Sequence, residues 1–159
     1  MMSKDEFCRQ VRLCEKAMYS LAFSIVRNDA DAAEVLSEST LLAWKNLKNL
    51  KRQTAFKSWI LRIVHNCAVD LVRRDCRHIY VADLPENAAV HDDEERDVRI
   101  ALRQAVEKLR QPYRTVVQLF YYEDMSIADI THITGAGTAQ VKKQLFRARE
   151  MLRESFKEV

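Results

Sequence analysis

Residues 126–152 read SIADITHITGAGTAQVKKQLFRAREML. Ser126 and Asp129 stand three apart at the start of this stretch, the spacing at which a serine hydroxyl caps a helix and an acidic side chain reaches back to the cap. The short helix so opened carries Ile127, Ile130 and Ile133 and closes at Thr134-Gly135, where glycine supplies the tight exit turn. A second helix begins near Thr138 and turns Val141, Leu145, Ala148 and Leu152 inward at steps of three and four. Gln140, Lys143, Gln144 and Arg147 are then expected to point together toward solvent. A short helix, a glycine turn and a longer helix with a polar, basic outer face is the layout of a helix-turn-helix. Its outward amides suit adenine and its cations suit guanine, while Lys142, Arg149 and Arg153 on the flanks would meet phosphates. An ordinary helical hairpin with a charged outer face has the same pattern, so the stretch alone leaves both readings open.

Working outward, Val98, Ala101, Leu102, Ala105 and Leu109 predict an amphipathic helix that ends before Gln111-Pro112, and another helix runs from Tyr113 to Tyr122. Upstream lies IYVADLPENAAVHDDEE, residues 79–95, with no helical apolar stripe, a proline, and an acidic run at its end. It carries 6 acidic and no Lys or Arg side chains, against 14 basic and 9 acidic in residues 1–78 and 12 and 8 in residues 96–159. The overall charge of +3 therefore conceals two basic units joined by an acidic stretch. A linker is the favoured reading, since structureless loops of this length are uncommon inside compact domains. A solvated loop within one domain is the alternative.

In the first unit Val11, Cys14, Met18, Leu21 and Ile25 mark one helix, which stops near Asn28-Asp29. After the polar cluster NDAD a second helix runs through Ala32 to about Leu47, with Leu36, Ala43 and Leu47 inward. A third spans Phe56 to Arg74. Phe56, Ile60, Ile63, Cys67 and Leu71 fall on one of its faces, and Trp59, Arg62, Asn66, Asp70 and Arg73 on the adjacent one. From Lys45 to Arg77 there are 9 basic and 2 acidic residues, the electrostatic footprint expected for a nucleic acid, because clustered cations release condensed counterions from the phosphate backbone. Trp59 either stacks on an unpaired base or packs into the core.

Composition narrows the class. Only 2 Gly and 2 Pro among 159 residues leave too few turns for a strand-rich fold, so an all-α chain of two small helical domains joined by a flexible acidic linker is expected. Cys8, Cys14, Cys67 and Cys76 form no CxxC pair and read as reduced thiols. The first ten residues, MMSKDEFCRQ, lack the apolar run of a secretory signal, and no window approaches the ~20 apolar residues of a spanning helix. A cytoplasmic location follows. Nothing resembles metal-ligand spacing, a phosphate loop or a nucleophile motif, and His65 and Asp70 read as structural. No catalytic residue, metal or cofactor is expected.

These residues resemble the bacterial sigma factors of the extracytoplasmic-function group. DADAAEVLSESTLLAWKNL and FKSWILRIVHNCAVDLVRR are similar to region 2 of that family, including Ala43-Trp44 and the series Phe56, Trp59, Asn66, Asp70, Arg73, Arg74. LRQPYRTVVQLFYYEDMSIADITHITGAGTAQVKKQLFRAREMLRE is similar to region 4. The resemblance implies region 2 over residues 1–78, a linker over 79–95 and region 4 over 96–159. It implies contact with core RNA polymerase through Glu34, Glu38, Leu41 and Trp44. It assigns opening of the −10 element to Lys48, Lys51, Arg52, Trp59, Arg62, Asn66, Arg73 and Arg74. Reading of the −35 element falls to Thr138, Gln140, Lys142, Lys143, Gln144, Arg147 and Arg149. The implied partners are core polymerase, by its clamp helices and flap, promoter DNA, and an anti-sigma factor, without membrane insertion by the chain itself. Where the family often has Asp-Leu-Val-Gln-Glu, this chain has Glu34-Val35-Leu36-Ser37-Glu38. A stand-alone helix-turn-helix regulator is the competing class; it would bind duplex DNA as a dimer without polymerase.

Overall fold

The computed structural model describes residues 2–75 and 94–157, and every regular element among them is helical. In the first unit α1 (Lys4–Val26) starts at Ser3, whose hydroxyl accepts from the Glu6 N–H at 3.2 Å, with Asp5 and Glu6 in the first turn at the positive end of the helix dipole. It ends where Arg27 enters the left-handed region at φ 66° and donates its N–H to the Phe23 carbonyl. Asn28 then caps α2 (Asp29–Lys45) through its side chain, which accepts from the Asp31 N–H at 2.8 Å. That cap is why α2 begins at Asp29 rather than after the NDAD cluster: the polar residues expected to precede the helix are its cap and first turn. Leu47 belongs not to α2 but to a 3-10 turn, Leu47–Asn49, followed by a second, Gln53–Ala55, and then α3 (Phe56–Arg74).

The three helices bury Leu21, Ala22, Ala32, Ile60, Leu61 and Val64 completely. Phe56, at the head of α3, has its ring 6.0 Å from Phe7 and 5.7 Å from Trp59. Small alanines on α1 and α2 let the helices approach, and each fully buried aliphatic side chain contributes about 1.5–3 kcal/mol.

The second unit consists of α4 (Glu94–Lys108), α5 (Tyr113–Val117), which continues into a π-helical turn at Gln118–Tyr122, then α6 (Ile127–Thr134) and α7 (Thr138–Lys157). The capping box is present: Ser126 Oγ accepts from the Asp129 N–H at 3.0 Å and Asp129 Oδ2 from the Ser126 N–H at 3.2 Å. Gly135 sits at φ 79° as the exit of α6, a backbone setting that an L side chain resists. Val141, Leu145 and Ala148 are buried and Leu152 half-buried, as the periodicity of α7 requires.

Two further expectations need correction. The expected apolar stripe Val98 to Leu109 meets a core only at its end: Val98 is 63% exposed and Leu102 39%, whereas Leu109 is buried together with Val106, which the stripe did not include. Val106 packs with Leu109, Tyr113, Val117 and Ala148, a cluster that Val98 and Leu102 do not join. Glu94 and Glu95, expected in the linker, begin α4, where acidic side chains favour the helix start. The rest of the stretch 79–95 lies outside the described residues.

The two units pack against each other. Val116, Leu119, Ile130, Ile133, Val141 and Leu145 of the second unit join Leu21, Ile60 and Leu61 of the first in one continuous apolar cluster. Polar contacts ring it. The carbonyl of Ser24, near the end of α1, accepts from Gln111 Nε2 at 2.8 Å and Arg114 Nε at 2.5 Å. The Ser24 hydroxyl lies 3.2 Å from that of Thr115, and Lys57 Nζ lies 3.6 Å from Glu123 Oε2. A carbonyl in the last turn of a helix has no partner within that helix, so the second unit completes the end of α1.

Candidate nucleic-acid interface

α3 presents the face expected of it. Its inward positions are taken by Phe56, Ile60, Cys67 and Leu71, which pack against α1 and α2, leaving Arg62, Asn66, Arg73 and Arg74 exposed along the outer side. The 3-10 turns before α3 add Lys48, Lys51 and Arg52, also exposed. Lys48 lies in the first of these turns, and Lys51 and Arg52 between the two. Trp59 lies between its two expected settings. It is half-buried, packed against the core with its ring 5.7 Å from that of Phe56. An aromatic ring that is only half-buried is suited to stacking on a flat partner.

One cation of this face is engaged by the second unit: Arg62 Nη1 lies 3.4 Å from His132 Nδ1 on α6. Further along α3, His65 and Arg73 line a cavity of about 380 Å³ between the units, with Gln111, Thr134 and Gln144 on its other wall. Burial pushes the His65 imidazole below its usual pKa, with a smaller opposing effect from Asn66, and its Nδ1 has no hydrogen-bond partner among the described residues.

On α7, Thr138, Gln140, Lys142, Lys143, Arg147 and Arg149 are exposed. Gln144 is not part of a common solvent face: it is half-buried and lines the inter-unit cavity opposite His65 and Arg73. Arg147, with a lesser effect from Arg110, holds the Tyr113 phenol below its usual pKa. Phe146 stands among these polar groups, 59% exposed. It escaped the sequence reading because an aromatic in a helix is ordinarily assigned to a core; its signal was a position one residue off the inward stripe of Val141, Leu145 and Ala148.

A different surface carries Glu34, Glu38, Leu41 and Trp44. All four are exposed on α2, with Leu41 at 55% and Trp44 at 43%. Leu41 and Trp44 edge a groove of about 720 Å³ between α1 and α2 that also takes in Phe7, Val11 and Met18. The Phe7 and Trp44 rings lie 5.2 Å apart. Apolar side chains flanked by carboxylates suit a protein partner with an apolar ridge and basic rim. Among the described residues no group of acidic, histidine or cysteine side chains could hold a metal ion, and no helix is long and apolar enough to cross a membrane.

Comparisons with known proteins fall on these two units. Residues 11–78 match the family model of sigma-70 region 2, and residues 99–152 that of sigma-70 region 4. The chain is 30% identical over 135 residues to the RNA polymerase sigma factor SigV of Bacillus subtilis, covering 85% of this chain and 81% of that one. It is 26% identical to the ECF RNA polymerase sigma factor SigW of the same organism, covering 98% and 91%. In fold it resembles the sigma factor RpoE of Bartonella quintana, solved with the anti-sigma factor NepR, at a TM-score of 0.77 and 22% identity over 98% of each chain.

Proposed function

The chain belongs to the RNA polymerase sigma factors, and on that premise we propose that its two units divide promoter recognition between them. Its function is promoter-specific initiation of transcription, as the specificity subunit of the polymerase. In the proposed division, residues 1–78 bind core polymerase and open the −10 element, and residues 96–159 read the −35 element, with 79–95 connecting them. The observation that carries this reading is the pairing, in one chain, of an exposed cationic face on α3 that includes a half-open tryptophan with a capped helix-turn-helix whose second helix is cationic and exposed.

The roles follow from chemistry. Lys48, Lys51, Arg52, Arg73 and Arg74 neutralise the backbone of the separated strand. Trp59 offers a stacking platform for an unpaired base, and Arg62 and Asn66 offer donors beside it. On α7, Gln140, Lys143, Gln144 and Arg147 reach for base edges, while Thr138, Lys142 and Arg149 hold phosphates. Glu34, Glu38, Leu41 and Trp44 dock on the polymerase clamp helices, and the second unit on its flap. An anti-sigma factor is a proposed partner, competing for these surfaces. The family is one of transcription regulators; we take the chain to catalyse no reaction of its own and to work in the cytoplasm alongside the polymerase.

The packed arrangement of the two units sets a condition on this work. The −35 and −10 elements are separated by about 25 base pairs, roughly 85 Å at 3.4 Å per pair. A compact chain of 159 residues has a radius of gyration of about 15 Å, so the packed units cannot touch both elements at once. Residues 76–93, fully drawn out, reach roughly 65 Å, which together with the span of each unit covers the distance. Engagement therefore requires the inter-unit contacts at Ser24, Lys57 and Arg62 to open, and Gln144 to emerge from the inter-unit cavity. On polymerase the separation is held, so the cost of opening is met by the larger contact with core enzyme.

The test is reconstitution with core RNA polymerase on genomic DNA, followed by sequencing of the transcripts. A discrete set of start sites sharing upstream elements is expected. A well-folded protein that directs no specific transcript, or that binds duplex DNA tightly as a dimer without polymerase, overturns the reading.

A further inference from the structure

The turn before α6 departs from ordinary helical geometry. At Gln118–Tyr122 the chain passes through a π-helical turn, and Phe120, Tyr121 and Tyr122 follow one another there. Such turns are uncommon and gather at functional sites. Here the turn serves two arginines. Arg149 of α7 lies over the rings of Phe120, at 5.8 Å, and Tyr121, at 5.7 Å, and its Nε donates to the Tyr121 hydroxyl at 2.5 Å. Arg103 of α4 lies 4.5 Å over Tyr122.

The two arginines are not equivalent. Arg103 spends its donors inside the protein: Nη1 donates to Gln118 Oε1 at 3.0 Å and Nε lies 3.6 Å from Glu107 Oε1. For Arg149, the single hydrogen bond among the described residues is through Nε, and no carboxylate pairs with it there. Both Nη groups, the planar fork that fits two oxygens of a phosphate, are therefore unspent. Arg149 is exposed, on one flank of α7 in line with Lys142, Phe146 and Arg153. An arginine held by stacking and by its inner nitrogen, with its outer fork open, gives up less freedom on meeting an anion than a loose one.

Resting on the reading that α7 enters the −35 duplex, we propose that Tyr121 is a positioning residue: it fixes Arg149 so that its fork grips a backbone phosphate beside that element. Tyr121 itself touches no base. It acts through Arg149, and with Phe120 it forms a clamp that belongs to the DNA-binding surface although it stands outside the helix-turn-helix.

The experiment uses holoenzyme reconstituted from the full chain and core polymerase, on a duplex promoter mapped by transcript sequencing, with affinity measured across a salt series. Arg149→Ala should lower the slope of log K against log salt by about 0.9 and weaken promoters with different −35 bases alike. Tyr121→Phe keeps the ring and the charge, so the slope should hold while affinity falls about threefold to tenfold. In the Arg149→Ala background the same Tyr121→Phe change should cost nothing further. A Tyr121→Phe effect of equal size in both backgrounds, or an Arg149→Ala slope equal to wild type while Lys142→Ala and Arg153→Ala lower it, overturns the clamp alone. If none of the three cation variants changes the slope, α7 does not enter the duplex, and the wider reading falls with the clamp. Thermal melting of Tyr121→Phe within a degree or two of wild type separates positioning from folding.

Discussion

Removing the two side chains that grip the Ser24 carbonyl, by Arg114→Ala with Gln111→Ala, is expected to shift the chain toward its open form by about 60- to 700-fold. The magnitude comes from the two bonds across the junction. Arg114 Nε at 2.5 Å makes a charge-assisted bond and Gln111 Nε2 at 2.8 Å a neutral one, worth about 1.5–3 and about 1 kcal/mol respectively after exchange with water. Arg114 Nη1 also donates to the Leu109 carbonyl at 2.9 Å. That bond lies within the second unit and persists on opening, so it cancels. Burial pulls the Arg114 guanidinium down to about 10, well above neutral pH, so its charge is present throughout. The sum, about 2.5–4 kcal/mol at 1.4 kcal/mol per decade, gives the range. Small-angle scattering reads the outcome as a radius of gyration rising from about 15 Å, and titration with core polymerase reads it as tighter apparent binding, because less of the free chain is held closed. A double variant with full helix content, unchanged scattering and unchanged polymerase affinity would refute the idea that these bonds hold the units together.

Ser126→Ala removes the Oγ that accepts the Asp129 N–H; a loss of about 0.5–2 kcal/mol of stability is expected in urea titration, with −35 binding weakened only as far as α6 frays. Leu41→Asp, at a 55% exposed position, should leave the melting temperature nearly unchanged while reducing affinity for core polymerase at least about tenfold, the loss typical of a disrupted interface anchor. Trp44→Ala should act in the same direction but also soften the fold, since its ring rests on Phe7. For His65, burial favours the neutral imidazole, so the unfolded chain binds more protons than the folded one below the ordinary histidine pKa of about 6.5. Stability is then fully present above that value and falls on acidification from pH 7 to 5.5. His65→Gln should flatten this part of the pH–melting curve, and an unchanged slope would remove His65 as its source.

Legibility in the sequence followed the range of the interaction. The Ser126–Asp129 box and the Gly135 exit depend on neighbours three to eight positions away, and both stand as read. The bounds of α3 and its cationic outer side were legible for the same reason, being fixed by a period within one helix. Periodicity reports that a face is apolar but not that anything covers it, hence the misplaced inward side of α4, where Val98 and Leu102 face outward. The junction was illegible altogether. Ser24 and Thr115 are 91 residues apart, and a backbone carbonyl leaves no mark in a sequence at all. The clamp on Arg149 was hidden similarly: the FYY run reads as the end of a helix, and only the π-helical turn brings two of its rings to a side chain on α7.

The shared apolar cluster bears on how such a chain can be recombined. The surface of α6 answers to two partners, α7 within its own unit and α3 of the other. A graft of the second unit from one sigma factor onto the first unit of another inherits the first obligation intact and breaks the second. The hybrid would rest open, exposing Ile130 and Ile133 near the seam to other chains. The second unit is thus not a freely exchangeable cassette here, because α6 also closes over the core of the first unit.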